Sequence, residues 1–304
     1  MRSRAKPKEN IITKRKSEAK YNISAWLFIL PFLILYLVFM IYPIISGFLT
    51  SFTTGQFGIE SKFNGLGNYI YMMKDKYFWQ ALGNTLLFVI ISTPTIVIFG
   101  LLFSLIVNSA IKGTTFLRSA FFIPYMLSIS VITSIWKFIL QPYTGFLNGL
   151  LHRMGVKDEI YWLGSTPLAW LSILIVTLWW TVGFNMILFL AGLQEIPDSL
   201  YEAASIDGAN SWEKFCSITL PSLRGVIALV VQLQIVASFK LFGQPWLLTG
   251  GGPGTSTRPI VQYIYQTAFR SWDSGYASAM SFILFIVIGL FTLIQNKLSQ
   301  RIEG

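Results

Sequence analysis

Residue types that commonly carry catalysis are scarce in this chain of 304 residues. It contains one histidine, His152, and one cysteine, Cys216. One histidine leaves little room for a hydrolytic triad and rules out a site with two histidine ligands. One cysteine excludes an intrachain disulfide and argues against a cysteine-based metal site. The sequence therefore predicts no catalytic residues, no metal and no cofactor, and it disfavours a membrane-embedded enzyme.

Polar and aromatic side chains do occur together in two apolar stretches. A pyranose presents hydroxyls at its edge and C–H groups on its faces, so a sugar site combines hydrogen-bonding groups with aromatic planes. In the first stretch, the candidates for a solute path recur at helical spacing and therefore share one face of the helix: Thr177, Trp180, Thr181 and Phe184. In the second stretch, the candidates lie on or near one face of the helix: Gln234, Ser238, Lys240 and Leu241. The alternative for the aromatic residues is ordinary helix–helix packing.

Lys240 is open to two interpretations. It follows Arg224 by 16 residues, which is about 24 Å along a helix. A charge at that depth in a membrane is costly and should face a cavity or a partner. Lys240 is then either a lining residue that binds sugar hydroxyls or an anionic sugar, or a lysine that snorkels outward or pairs with a partner subunit's carboxylate. The sequence alone favours the second interpretation.

Six apolar segments must position these residues. Only 12% of the chain is charged, against about 25% in soluble domains. Each apolar segment has about the length that crosses a bilayer, roughly 17 to 25 residues. The sequence therefore predicts an all-α polytopic membrane protein with six transmembrane helices, and residues 23–304 form the six-span domain. We place the spans near 24–48, 84–108, 118–140, 168–191, 224–248 and 277–296.

The N-terminal residues 1–22 form a basic tail. The net charge is +10, and eight of the 23 basic residues lie in the first twenty positions. Basic residues beside an apolar span favour the cytoplasmic side and contact anionic lipid, so we predict no nucleic-acid partner. Because the number of spans is even, both termini are expected in the cytoplasm of a prokaryotic cell, with the chain in the cell membrane. The first apolar run is too long for a cleaved signal peptide.

The loop 192–223, expected on the cytoplasmic side, has the pattern of two short helices. Ser199 and Glu202 fit a capping box, which predicts a helix that begins at Leu200. Gly208, directly after Asp207, suits a left-handed helix end.

Asn210 and Glu213 then repeat the capping pattern for a second helix. The two helices should meet at a corner around Gly208. The alanines at 203 and 204 are small enough to let another protein approach closely.

This loop carries a resemblance to a known family. Its residues, with supporting motifs elsewhere, resemble the cytoplasmic signature of permease subunits from binding-protein-dependent ABC importers, in the carbohydrate branch that handles maltose, multiple sugars and glycerol phosphate. The motifs are Glu202-Ala203-Ala204, Gly208, Ile218-x-Leu220-Pro221, Gly250-Gly251-Gly252-Pro253, Asn84-Thr85 and Phe122-Ile123-Pro124. The glycine run itself is either a contact along the solute path or a flexible loop.

The resemblance implies a type I ABC importer permease fold and a transport subunit that works by alternating access. It also implies a second homologous permease, two cytoplasmic ATPase subunits and an extracytoplasmic solute-binding protein as partners. The sequence has no G-x-x-x-x-G-K-[ST] motif, so ATP hydrolysis is expected on a separate polypeptide. The residues expected to couple to the ATPase are Glu202, Ala203, Ala204, Asp207, Gly208 and Pro221. Glu202 can instead serve as a cap alone.

In the maltose-type relatives, the sugar lies between the two spans that hold the candidate solute path. Three asparagines of those relatives are replaced here, so the sugar need not be maltose. An importer for a uronate, a glycerol phosphate or another non-sugar solute is the alternative. A secondary transporter driven by an ion gradient is a weaker alternative, because no Asp or Glu falls in a predicted span.

Overall fold

A computed structural model of the protein describes residues 26–55, 62–109 and 113–303. The predicted basic tail at 1–22 lies outside the described residues. The helices are α1 Trp26–Thr50, α2 Gly67–Lys74, α3 Lys76–Asn108, α4 Thr114–Met126, α5 Ile129–Ile139, α6 Phe146–Arg153, α7 Thr166–Gln194, α8 Asp198–Ile206, α9 Ser211–Ser222, α10 Arg224–Phe239, α11 Gly243–Leu248, α12 Ile260–Phe269 and α13 Ser274–Glu303. Two short antiparallel strands, β1 Thr53–Thr54 and β2 Lys62–Phe63, pair with Thr53 opposite Phe63.

Four of these helices, α1, α3, α7 and α13, are each long and apolar enough to cross a membrane. Two bent pairs have the same character: α4 with α5 turns by 104°, and α9 with α10 turns by 65°. If each bent pair is one span, the described residues contain six. The predicted all-α fold with six spans is confirmed at this level.

The third predicted span, 118–140, is not one straight helix. The chain leaves the helical conformation at Leu127, and the Ser128 hydroxyl accepts a hydrogen bond from the Val131 amide at 3.4 Å to begin α5. The predicted span consists of two helices, because a serine cap restarts the helix in a new direction.

The fifth predicted span, 224–248, is also broken. α10 ends at Phe239, and α11 begins only at Gly243. Gly243 and Pro245 are both poor helix-interior residues, and they provide the physical reason for the break. The second predicted span instead begins earlier than 84, at Lys76, because the Asp75 carboxylate caps α3 by accepting from the Tyr77 amide at 2.9 Å.

The centre of the bundle is the pair α3 and α7. Glycines let the backbones approach closely: a Cβ on Gly183 would lie 2.0 Å from the Phe121 carbonyl oxygen, and one on Gly100 would lie 3.0 Å from the Asn185 Cβ. Close approach at small residues is the usual packing of helices in membranes. This packing fixes α7 against α3 and α4, so the backbone that carries the candidate residues of α7 is held in place.

Candidate functional site

A cavity of about 360 Å³ brings together most of the candidate solute-path residues. Its walls come from α3, α5, α7, α10 and α11. The lining residues are Phe88, Ile129, Thr177, Trp180, Thr181, Gln234, Ala237, Ser238, Lys240, Leu241, Phe242, Gly243 and Gln244. Phe184 is the one candidate that does not line it, since its ring stacks on Tyr125 with centroids 4.9 Å apart.

Both helix breaks face this cavity. A Cβ on Gly243, at the start of α11, would lie 2.9 Å from Ile129 Cγ1 at the start of α5. The Trp180 indole N–H donates to the Leu127 carbonyl oxygen at 3.3 Å, which satisfies the backbone at the α4–α5 break. At membrane depth, irregular backbone is tolerated only where it is buried in protein or lines a cavity. Discontinuous helices of this kind form the substrate sites of several transporter folds.

A buried polar network joins α3 to α10 at the cavity wall. The Gln234 amide N–H donates to the Ser238 hydroxyl oxygen at 3.0 Å, and that oxygen is 2.9 Å from the Ser92 hydroxyl oxygen. Ser238 is 2% exposed. The network satisfies polar groups that would otherwise be costly to bury. Gln234 and Ser238 therefore mainly hold α10 in place beside the cavity.

The threonines of α7 present oxygen acceptors. The Thr177 hydroxyl donates to the Ile173 carbonyl oxygen at 2.7 Å, and the Thr181 hydroxyl donates to the Thr177 carbonyl oxygen at 2.8 Å. Each hydroxyl hydrogen is therefore used inside the helix, and the remaining lone pairs can accept hydrogen bonds from a solute.

Lys240 caps the C-terminal end of α10, and its exposed side chain lines the cavity. Its backbone N–H donates to the Ala237 and Val236 carbonyl oxygens at 3.2 and 3.3 Å. Its ammonium has no hydrogen bond or ion pair with another described side chain. A cation at a helix C-terminus is stabilised by the helix dipole.

Sequence reasoning missed Phe88, Phe242 and Gln244 as lining residues. Phe242 stacks on Trp246 with ring centroids 5.7 Å apart, and Gln244 is buried. Both lie at the break after α10, which the placement of a span at 224–248 did not anticipate. The glycine and proline at 243 and 245 were the signal that could have revealed them.

The second part of the site is the corner, which we define as α8, α9 and the turn between them. α8 begins at Asp198 after Pro197, with no side-chain cap. The predicted capping box of Ser199 and Glu202 was therefore wrong, because Ser199 already lies inside the first turn. Ala203 and Glu202 are exposed on α8, and Ala204 is half-buried.

The end of α8 is as predicted. Gly208 has a φ of +82°, and its N–H donates to the Ser205 carbonyl oxygen at 3.2 Å. The Ala209 N–H donates to the Ala204 carbonyl oxygen at 2.9 Å, which completes a Schellman motif. A Cβ at Gly208 would meet no atom within 4 Å. The glycine is thus required by its backbone conformation and not by lack of space.

The start of α9 also follows the prediction. The Asn210 side chain accepts from the Glu213 amide at 3.0 Å, and the Glu213 carboxylate accepts from the Asn210 amide at 2.7 Å. Lys214 Nζ donates to the Ser205 hydroxyl oxygen at 2.6 Å and so links α9 to α8. The two short helices are therefore one rigid unit.

The corner is fastened to the spans on both sides. Leu193, Ile196 and Leu223 form a buried cluster with Tyr201 and Ile218 packed against it. Pro221 lies half-buried just before the 65° bend into α10. The buried cluster therefore connects the corner to the end of α7 and the start of α10.

The outer surface of the corner carries apolar side chains that sequence reasoning missed. Ile206 is 87% exposed, Trp212 is 71% exposed, and Leu200 is also exposed. Several large exposed apolar side chains within one short polar loop are typical of an interaction surface. In the sequence, these surface residues could have been recognised as large apolar residues placed between charged residues of the loop.

The glycine-rich loop after α11 is held by hydrogen bonds. Gln262 donates to the Gly250 carbonyl oxygen at 2.8 Å. The Asn84 amide of α3 donates to the Arg258 carbonyl oxygen at 3.0 Å. These bonds tie the loop to α3 and α12, so it has a defined conformation.

Asp75 anchors the helices next to that loop. Its carboxylate accepts hydrogen bonds from the Tyr263 and Tyr276 hydroxyls, both at 2.6 Å. Burial opposes ionisation, but the hydrogen bonds from these phenols outweigh it and hold the pKa of Asp75 below its usual value. The Arg258 guanidinium lies over the Tyr263 ring, 4.5 Å from its centroid.

Comparison with known proteins decides the family. Residues 64–304 match the family described as binding-protein-dependent transport system inner membrane component. The chain belongs to this family. It is 36% identical over 281 residues to the probable ABC transporter permease protein YurN of Bacillus subtilis, covering 91% of this chain and 96% of YurN. It is 37% identical to the multiple sugar-binding transport system permease protein MsmF of Streptococcus mutans, covering 96% of this chain and all of MsmF.

The fold of this permease is also known from a solved structure. A chain of a bacterial ABC transporter that imports the acidic polysaccharide alginate superimposes with a TM-score of 0.86, at 24% sequence identity, over 96% of this chain and 100% of the other. This agreement confirms the type I ABC importer permease fold. The chain is a membrane-embedded transport component and not an enzyme.

Proposed function

We propose that this chain is the sugar-translocating permease subunit of an ATP-driven importer. The observation that carries the proposal is a cavity at two helix breaks, with hydrogen-bonding and aromatic walls, joined through α7 and α10 to a rigid corner. Relatives such as MsmF, a multiple sugar-binding transport system permease, support a sugar as the cargo. The cavity has the mixed apolar and polar walls that a pyranose requires.

The mechanism is alternating access. Closure of two ATPase subunits moves the corner, and the buried cluster at Leu193 and Leu223 passes the movement to α7 and α10. Both helices line the cavity, so their relative movement opens it first to one side of the membrane and then to the other. The exposed Ile206 and Trp212 supply the apolar contact with an ATPase subunit.

The other subunits of the proposed importer are separate chains. A second permease covers the apolar surface of α1, of which no residue in the spanning window is buried, together with membrane lipid. A solute-binding protein delivers the sugar from outside the cell. The corner lies in the cytoplasm with both termini, because the basic residues of the N-terminal tail favour the cytoplasmic side.

Reconstitution tests the proposal. The chain is co-expressed with its partner permease, ATPase and binding protein, and the complex is placed in liposomes with ATP inside. Uptake of radiolabelled saccharides, drawn from a panel of neutral and charged mono- and oligosaccharides, should require every component. Omission of the ATPase or of the binding protein is the control. Uptake by the permease chain alone, or uptake driven by an ion gradient without ATP, would refute the proposal.

A further inference from the structure

Lys240 is a cationic residue that lines the cavity and has no ion pair with a described carboxylate. It is the only charged side chain among the lining residues. The described side chains of the spanning helices contain no aspartate or glutamate between Lys76 and Ser299 within α3, α4, α5, α7, α10 and α13. The described residues of these six helices therefore offer the ammonium no carboxylate.

The depth makes this charge costly. α10 begins at Arg224 and has 16 residues, so Lys240 lies about 24 Å along the helix from Arg224. With the start of the predicted span at Arg224 taken as the inner face of the membrane, this position falls within a hydrocarbon layer of about 30 Å. The C-terminal carbonyl groups of α10 offset part of the charge, since a helix end carries roughly half a unit. The part of the Lys240 charge that the helix end does not offset gives the cavity a positive electrostatic potential.

We infer that the cavity selects sugars that carry an anionic group (a carboxylate, sulfonate or phosphate) and that Lys240 binds this group. The inference rests on the proposed function and specifies its cargo. A lysine ammonium is a point charge with three donors, which suits an anion approached from a single side. Its charge-assisted hydrogen bonds are stronger than those between neutral groups.

The other walls fix how such a sugar lies. Thr177 and Thr181 have used their hydroxyl hydrogens within α7 and offer only oxygen acceptors. Acceptors bind the hydroxyls of a sugar and repel its anionic group. The anionic group must therefore point away from α7 toward Lys240, while the Trp180 ring covers a face of the pyranose.

The first arm of the test uses charged and neutral saccharides of the same size. Galacturonate oligosaccharides are compared with their methyl esters, and sugar phosphates with the parent sugars. Binding to the cognate solute-binding protein and uptake by the complete importer in liposomes are both measured. The charged member of a pair should be bound and taken up. If only neutral saccharides are taken up, the charge assignment is wrong and the sugar-importer proposal stands. If no saccharide is taken up, the proposed function itself fails.

The second arm tests Lys240 with the charged saccharide. Lys240→Gln should lower kcat/KM for uptake by about ten- to hundredfold, the range expected when a charge-assisted hydrogen bond is lost, and it should lose the preference over the methyl ester. Lys240→Arg keeps the charge and should keep the preference. Lys137→Gln is the matched control, because Lys137 is exposed at the end of α5 and does not line this cavity.

Assembly is measured in parallel by co-purification and basal ATP hydrolysis. Wild-type uptake of the charged saccharide by Lys240→Gln would overturn the inference. Loss of assembly in Lys240→Gln, with assembly kept in Lys240→Arg, would also overturn it, because Lys240 would then pair with a carboxylate of the partner permease.

Discussion

The hydroxyl oxygens of Tyr201 and Thr219 are 2.8 Å apart. Tyr201 lies on α8 and Thr219 lies on α9, where it is buried just before the bend into α10. This hydrogen bond closes the corner opposite to Gly208, so the two short helices are joined at both ends of their contact. In the proposed mechanism, the corner acts as a lever between an ATPase and the spans.

Tyr201→Phe should weaken this lever without unfolding the protein. One neutral hydrogen bond contributes about 1 kcal/mol, so the thermal unfolding midpoint of the complex should fall only slightly. The stimulation of ATP hydrolysis by loaded binding protein should fall more, because the angle of the corner is less well fixed. Tyr36→Phe, at an exposed position of α1, is the control. Unchanged stimulation in Tyr201→Phe would show that the bond has no part in coupling.

Trp180 should contribute to sugar uptake more than its neighbour Trp179. Trp180 lines the cavity, whereas Trp179 is 38% exposed and packs on Trp136. Loss of an aromatic contact of about 1–1.5 kcal/mol should raise KM for uptake about tenfold in Trp180→Ala. Trp180→Phe, which keeps a ring but loses the N–H, should lie between wild type and Trp180→Ala. Equal KM values in Trp180→Ala and Trp179→Ala would place the sugar elsewhere.

The network around Ser238 yields a stability prediction. Ser238→Ala leaves the buried Gln234 N–H without its acceptor, which costs about 1–3 kcal/mol. Ser92→Ala removes only the outer member of the network and keeps the bond between Gln234 and Ser238. Ser238→Ala should therefore lower the thermal unfolding midpoint and slow uptake more than Ser92→Ala does. Identical midpoints in the two variants would contradict this order.

Asp75 predicts a pH dependence of stability. Its pKa is lower in the folded state than in the unfolded chain, so its stabilising effect is complete above the unfolded value of about 3.9. The effect is lost as pH falls toward the folded pKa. The unfolding midpoint should decline less between about pH 5 and about pH 2.5 in Asp75→Asn than in wild type. Asp158→Asn, at an exposed loop position, should behave as wild type, and a wild-type decline in Asp75→Asn would refute the role of Asp75.

The lengths of the spans could be predicted from sequence because a bilayer demands long apolar segments. The Schellman end at Gly208 and the cap at Asn210 could be predicted because local backbone geometry determines them. The start of α8 could not, since Pro197 and the buried cluster at Ile196 set it. Ser199 fits a capping pattern equally well on local grounds, so only the tertiary contacts decide.

The breaks at Leu127 and after Phe239 were the main features that sequence alone did not reveal. Both interrupt apolar segments whose composition is typical of a continuous span. The Trp180 indole satisfies the Leu127 carbonyl from another helix, and such a contact between distant residues leaves no periodic signal. The cavity itself depends on these breaks, so its lining residues on α7 and α10 were predicted while those at the breaks, such as Phe242 and Gln244, were not.

The coupling role of the corner is tested most directly at Gly208. Proline fixes φ near −65° and removes an N–H, whereas Gly208 has a φ of +82° and donates to Ser205. Asparagine adopts positive φ more readily than most other non-glycine residues do. Gly208→Asn should therefore reduce coupling least among substitutions at this position, and Gly208→Pro should reduce it most. Glu202→Ala, on the exposed face of α8, should weaken coupling less than Gly208→Pro does.

Gly155→Pro is the matched control, because Gly155 ends α6 at the other end of α7 with a φ of +95° and the same N–H contact, here to His152 at 3.0 Å. The decisive measurement is ATP hydrolysis by the reconstituted importer with and without loaded binding protein. Gly208→Pro should abolish the stimulation, through loss of ATPase co-purification or of its response, while the permease still inserts in the membrane and Gly155→Pro retains stimulation. Full ATPase binding and full stimulation in Gly208→Pro would show that the corner is not the coupling element.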